Sequence, residues 1–189
     1  MDSITTLLLS IGLVFTAEIG DKTMISTIIL ALQTGRFIQV VGASILGFTL
    51  ANIIAVVVGF IARSMVDLSI LKILAGILFI GVGFWMIMGK EEEEEKTSLY
   101  GVLAAFLTVF LMEMGDKTQI TVFTLSMLYD NPLIVLIGGV LGYGVANISG
   151  LLVAKYIEGR VDWLKIKKYA GLVMVFIGVL VVVEYILGY

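Results

Sequence analysis

The hexapeptide Glu18-Ile-Gly-Asp-Lys-Thr23 recurs 95 residues later as Glu113-Met-Gly-Asp-Lys-Thr118, and the offset then holds without a gap. Gly47 falls on Gly142, Ala51-Asn52 on Ala146-Asn147 and Asp67 on Asp162. Lys72 meets Lys167, Ala75-Gly76 meets Ala170-Gly171 and Gly83 meets Gly178. A match sustained over half the chain makes the protein two copies of one unit. Each copy holds three apolar stretches: residues 4–32, 38–62 and 70–89, then 99–129, 132–156 and 166–188. All six reach the roughly 20 residues that a helix needs to cross a bilayer. Three is odd, so the second copy enters the membrane from the opposite face. The predicted fold is an all-α integral membrane protein with six transmembrane helices in two inverted three-helix repeats. A pseudo-two-fold axis in the membrane plane relates them. Residues 1–89 form the first repeat, 90–98 an acidic cytoplasmic loop and 99–189 the second repeat.

Composition supports the membrane reading and narrows the chemistry. Of 189 residues, 60% are hydrophobic and 14% charged, whereas a soluble domain averages about half and about a quarter. The chain has no Cys and no His, which removes the usual ligands for copper and zinc, so a metal site must be built from oxygen. No basic surface exists for nucleic acid. The N-terminal stretch lacks a basic region and a small-residue cleavage site, and is expected to be retained.

Orientation follows from lysines and arginines in the connections. One side carries Arg36, Lys90, Lys96, Lys155, Arg160, Lys165, Lys167 and Lys168, and the other carries Arg63 and Lys72. The first side is expected to be cytoplasmic, in a cell (inner) membrane, with both termini outside. The run Glu91–Glu95 then lies in a solvated inner loop. Glu184 has no acidic counterpart in the first repeat and is expected at the interface.

Small residues recur every four positions as Ala43, Gly47, Ala51, Ala55 and Gly59, and again as Gly138, Gly142, Ala146, Gly150 and Ala154. Such stripes let helix backbones approach closely in lipid. Asn52 and Asn147 sit one residue past the stripe, as interhelical hydrogen-bonding groups or as ligands.

The motifs carry the chemistry. In a continuous helix Glu18 and Asp21 share a face, as do Glu113 and Asp116. Gly20 and Gly115 lower helix propensity and permit a local break that exposes carbonyls. Thr23, Thr118 and the one-sided Gln119 add neutral oxygens. Brought together about the pseudo-axis, the four carboxylates suit Ca²⁺, Mn²⁺ or Mg²⁺. Clustered like charges in a low-dielectric site also bind protons more readily, so one set of groups can serve metal and proton in turn. Lys22 and Lys117, each four residues after a motif glutamate, are expected to balance charge.

Paired Glu-x-Gly-Asp-(Lys/Arg)-(Thr/Ser) motifs, each in the first helix of a three-helix repeat, resemble those of the calcium/manganese cation–proton exchangers. That family includes Golgi manganese transporters and bacterial manganese exporters. The resemblance spans essentially the whole chain, and its compactness is similar to that of prokaryotic members. It implies a secondary active transporter, not an enzyme, that exports Mn²⁺ or Ca²⁺ against protons by alternating access. The motif acids would serve as ligands, no cofactor would be needed, and the partners would be divalent cations, protons and the bilayer. A homo-oligomer is compatible with it. Two alternatives fit the same sequence: an exporter of small organic solutes such as cationic amino acids, and a non-transporting membrane scaffold or assembly factor.

Overall fold

The computed structural model describes residues 3–88, 102–157 and 163–187. Among these the chain forms eight helices: α1 Ser3–Glu18, α2 Lys22–Thr34, α3 Phe37–Met65, α4 Leu68–Met88, α5 Val102–Glu113, α6 Lys117–Leu128, α7 Pro132–Ile157 and α8 Trp163–Leu187. Two of the six expected stretches are therefore broken, each at its motif. The Glu91–Glu95 run and the connection at 158–162 lie outside the described residues.

The breaks have a common backbone cause. Gly20 and Gly115 adopt φ of 72° and 81°, a left-handed conformation that a side chain resists. Asp21 and Asp116 follow in extended conformation at the N-caps of α2 and α6, and neither side chain makes the capping hydrogen bond. Both carboxylates are thereby left for other partners. At the far ends, α2 stops at left-handed Gly35, while α7 starts with Pro132 after Asn131 Oδ1 has accepted a hydrogen bond from the Ile134 N–H at 3.3 Å.

Packing repeats at the 95-residue offset. Helix α1 packs on α7 and α5 on α3, while α4 packs on α8. A Cβ added to Gly47 would stand 2.6 Å from the Phe106 carbonyl oxygen, and one added to Gly142 would stand 2.5 Å from that of Ile11. Ile11 and Phe106 are themselves equivalent positions. The α4–α8 contact follows suit, with Gly76 against the Gly178 carbonyl and Gly171 against that of Gly83. The small-residue stripes thus form the closely packed faces, as their spacing predicts. Phe48 and Tyr143, fully buried and equivalent, stack on each other at the centre with ring centroids 4.2 Å apart. The packing of the halves is not identical: α6 lies along α3 more extensively than α2 lies along α7.

Both ends of the bundle are defined by their neighbours. Ser3, Arg63, Lys72, Asp130 and Glu184 line one cavity of about 600 Å³. That places the start of α1, the α3–α4 and α6–α7 connections and the end of α8 together. Leu30 and Ala31 of α2, Val40 of α3 and Ala105 of α5 cluster with Leu151 of α7, away from that cavity. Among the described residues, α3, Ile70–Met88 of α4 and Pro132–Ala154 of α7 are long and apolar enough to cross a membrane. So is the α1–α2 pair taken together, although it bends by 74°; Val102–Glu113 and Gly171–Ile186 are shorter apolar helices. The outward faces remain apolar, as at Ile61, Ile77, Leu141, Ile148 and Phe176, a surface suited to lipid rather than water. The fold is that of a multi-pass membrane protein.

Candidate cation site

Four half-helix ends meet beside the Phe48–Tyr143 pair. Glu18 and Glu113 are the last residues of α1 and α5, while Asp21 and Asp116 cap α2 and α6. The same backbone bond closes the turn in both copies, with Asp21 N–H donating to Glu18 O at 3.0 Å and Asp116 N–H to Glu113 O at 3.2 Å. All four acids are buried, at 0%, 1%, 0% and 5% exposure for Glu18, Asp21, Glu113 and Asp116. Charges withdrawn from water to this degree require partners. Glu113 lies within electrostatic reach of Glu18, Asp116, Asp21 and Lys117.

The partners cross between halves. Buried Lys117 forms ion pairs with Asp21 of the other repeat and with neighbouring Asp116, the latter at 3.3 Å. Lys22, 36% exposed, reaches Asp116 at 3.7 Å. Thr23 and Thr118 both donate to Glu18, one to each carboxylate oxygen, Thr23 at 2.9 Å. Glu113 has no hydrogen-bond partner on either oxygen.

This geometry departs from the helical expectation in two ways. The breaks put each motif's glutamate and aspartate on different helices, so they do not share a helix face. Nor are the lysines held by the glutamate four residues earlier, because Gly20 and Gly115 interrupt the turn that such a pair needs. Among the described residues no three acidic side chains stand close enough to cage a metal ion, and Lys117 pairs with both Asp21 and Asp116.

The neutral candidates divide. Asn52 and Asn147 are fully buried, and each Nδ2 donates to the carbonyl four residues back, Phe48 O and Tyr143 O, at 3.0 Å in both. Both side-chain oxygens are left without a partner. A buried acceptor left unpaired costs about 1–3 kcal/mol, so these oxygens are available to a ligand. Gln119 is differently employed: its Oε1 accepts from Gly115 N–H at 2.7 Å and its Nε2 donates to Ala51 O at 2.9 Å. It braces the break in α5–α6 against α3.

Two residues matter more than their sequence context indicated. Tyr143 falls at the offset from Phe48, and that alignment was the available signal for its central place. Arg63 counts in the sequence only toward orientation. From the last turn of α3 it donates to the Met127 and Leu128 carbonyls, the latter being the last residue of α6, and it pairs with Asp130.

Both halves of the chain match a known family. The family described as "Divalent cation/proton antiporter GDT1" matches residues 6–94 and again 101–188. A Vibrio cholerae serotype O1 protein named "Putative manganese exporter" is 35% identical over 79% of this chain and 76% of its own length. A GDT1-like protein of Schizosaccharomyces pombe is 25% identical over 93% of this chain and 88% of its own. GDT1-like protein 5 of Arabidopsis thaliana is 22% identical over 90% and 92%. No solved structure matches the chain. The family is one of transporters rather than enzymes, and its cargo and coupling ions replace any cofactor. With both halves matched, the chain belongs to the GDT1 family of divalent cation/proton antiporters.

Proposed function

We propose that this antiporter exports Mn²⁺, and Ca²⁺ as a second substrate, from the cytoplasm in exchange for protons. Its six spans comprise α1–α2, α3, α4, α5–α6, α7 and α8, arranged as two inverted three-helix repeats on either side of the 90–98 loop. The exchange of equivalent contacts between halves supports that arrangement, as does the gathering of the start of α1 and the end of α8 around one cavity. In a cell (inner) membrane, lysine and arginine placement supports an orientation with both termini outside.

The observation that carries the reading is the meeting of two broken helices with four buried carboxylates between the halves. Broken helices at a repeat interface are where secondary transporters hold their ions. On this reading Glu18, Asp21, Glu113 and Asp116 converge on the ion from the wider spacing described above, with Asn52 and Asn147 as neutral oxygens and Thr23 and Thr118 beside them. Gln119 stands at the rim. When all are ionised, four carboxylates against Lys22 and Lys117 leave an excess of two negative charges, which a divalent cation matches. A rocking of one half against the other opens the site to each face in turn. The kinship with a protein named as a manganese exporter supports Mn²⁺. Metal competition in proteoliposomes tests this: a pH gradient should drive Mn²⁺ uptake that Ca²⁺ inhibits. Uptake indifferent to the gradient would refute the coupling.

A further inference from the structure

The twin motifs have the same acids, lysine and threonine but different partners. Threonine hydroxyls each carry one proton to donate, and both Thr23 and Thr118 give theirs to Glu18. Glu113, the equivalent acid, is equally buried and has none. Lys117 is buried against Asp21 and Asp116, whereas Lys22 stands at the edge, 3.7 Å from Asp116. The cross-repeat partner of Lys117 is Asp21, and Asp116 is the equivalent partner for Lys22. Helix α6, which bears Lys117, is the one packed along α3, while α2, which bears Lys22, is held less closely on α7. Every one of these differences points the same way.

Two halves of one sequence pattern have a counterpart arrangement in which their roles are exchanged. We propose that the threonines and lysines of the twin motifs exchange partners between the two access states. In the state described, Thr23 and Thr118 hold Glu18 while Lys117 lies between the aspartates. In the opposite state both threonines hold Glu113, Lys22 takes the buried place and Lys117 moves to the edge. A tethered ammonium thus always accompanies Asp21 and Asp116, and the glutamate left bare alternates between Glu113 and Glu18. Lys22 is on this view a positioning residue for transport, despite its partial exposure. The inference rests on the antiport reading above.

Transport in proteoliposomes of wild type, Lys22→Gln and Lys22→Arg separates the possibilities. Lys22 is partly exposed, so the variants should fold, and an unchanged melting temperature checks this. Exchange requires Lys22→Gln to lose at least about tenfold in turnover, with Mn²⁺ half-saturation within about threefold, because the opposite state would leave a buried charge unpaired. Lys22→Arg should recover most of the loss. Turnover of Lys22→Gln near wild type, or a loss confined to half-saturation, would overturn the exchange and leave antiport standing. A wild type that carries neither Mn²⁺ nor Ca²⁺ would overturn both.

Discussion

Phe48 and Tyr143, one from each half and 95 positions apart, stack face to face at the centre of the bundle. The two positions coincide at the 95-residue offset, so this contact lies where the two matched halves meet. Tyr143→Ala should leave a cavity costing about 3–5 kcal/mol, and Phe48→Ala a similar amount. Thermal unfolding in detergent measures both, and similar losses are expected because the two rings fill one space.

Glycines at the close approaches offer a second paired comparison. Gly47→Ala and Gly142→Ala each force a methyl against a carbonyl of the facing helix, costing about 1–3 kcal/mol through overpacking. Gly81→Ala, where nothing lies within 4 Å of the added atom, should be neutral or slightly stabilising. Melting temperatures of the three variants check the contrast.

Asn52 and Asn147 distinguish ligand from scaffold. Replacing either with Leu removes an unpaired buried acceptor, so stability without metal should hold or rise. Stabilisation by Mn²⁺, which follows mass action, should shrink as affinity falls by about tenfold for one lost oxygen ligand. An undiminished Mn²⁺ shift would make the asparagines purely structural.

Arg63 anchors α6 at the end away from its motif. Arg63→Gln leaves the Met127 and Leu128 carbonyls without their donor and Asp130 without its ion pair. A loss of about 1–3 kcal/mol is expected, accompanied by faster hydrogen exchange in the last turn of α6. Exchange rates unchanged there would exclude the anchoring role.

Protons and metal share the carboxylates in this account, so acid should weaken Mn²⁺ binding. Metal needs its ligands deprotonated, and each proton displaced gives about a tenfold weaker affinity per pH unit of acidification. Titrating the Mn²⁺-induced melting shift between acidic and neutral pH reads the slope. A pH-independent affinity would mean that binding displaces no proton.

Much of this was legible in residue order. The stripes from Ala43 to Gly59 and from Gly138 to Ala154 fixed the close-packed faces because a four-residue spacing has only one helical meaning. Gly20 and Gly115 signalled the breaks, although the short-range pairing of Glu18 with Lys22 assumed a helix that those glycines prevent. The partners chosen by Lys117 were not legible: two motifs with the same acids and lysine give no local reason for one lysine to be inside and the other at the edge. Which half packs more closely decides it, and that is a property of the whole bundle. Arg63 was opaque for a similar reason, since its acceptors lie 64 and 65 residues away.

The central claim is that the buried glutamates carry cation and proton in turn, and pH-driven Mn²⁺ uptake by Glu18→Gln and Glu113→Gln proteoliposomes tests it most directly. Wild type should concentrate Mn²⁺ along the gradient, and each variant should lose gradient-driven uptake while remaining folded. Either variant transporting Mn²⁺ at the wild-type rate with an intact response to pH would contradict the account.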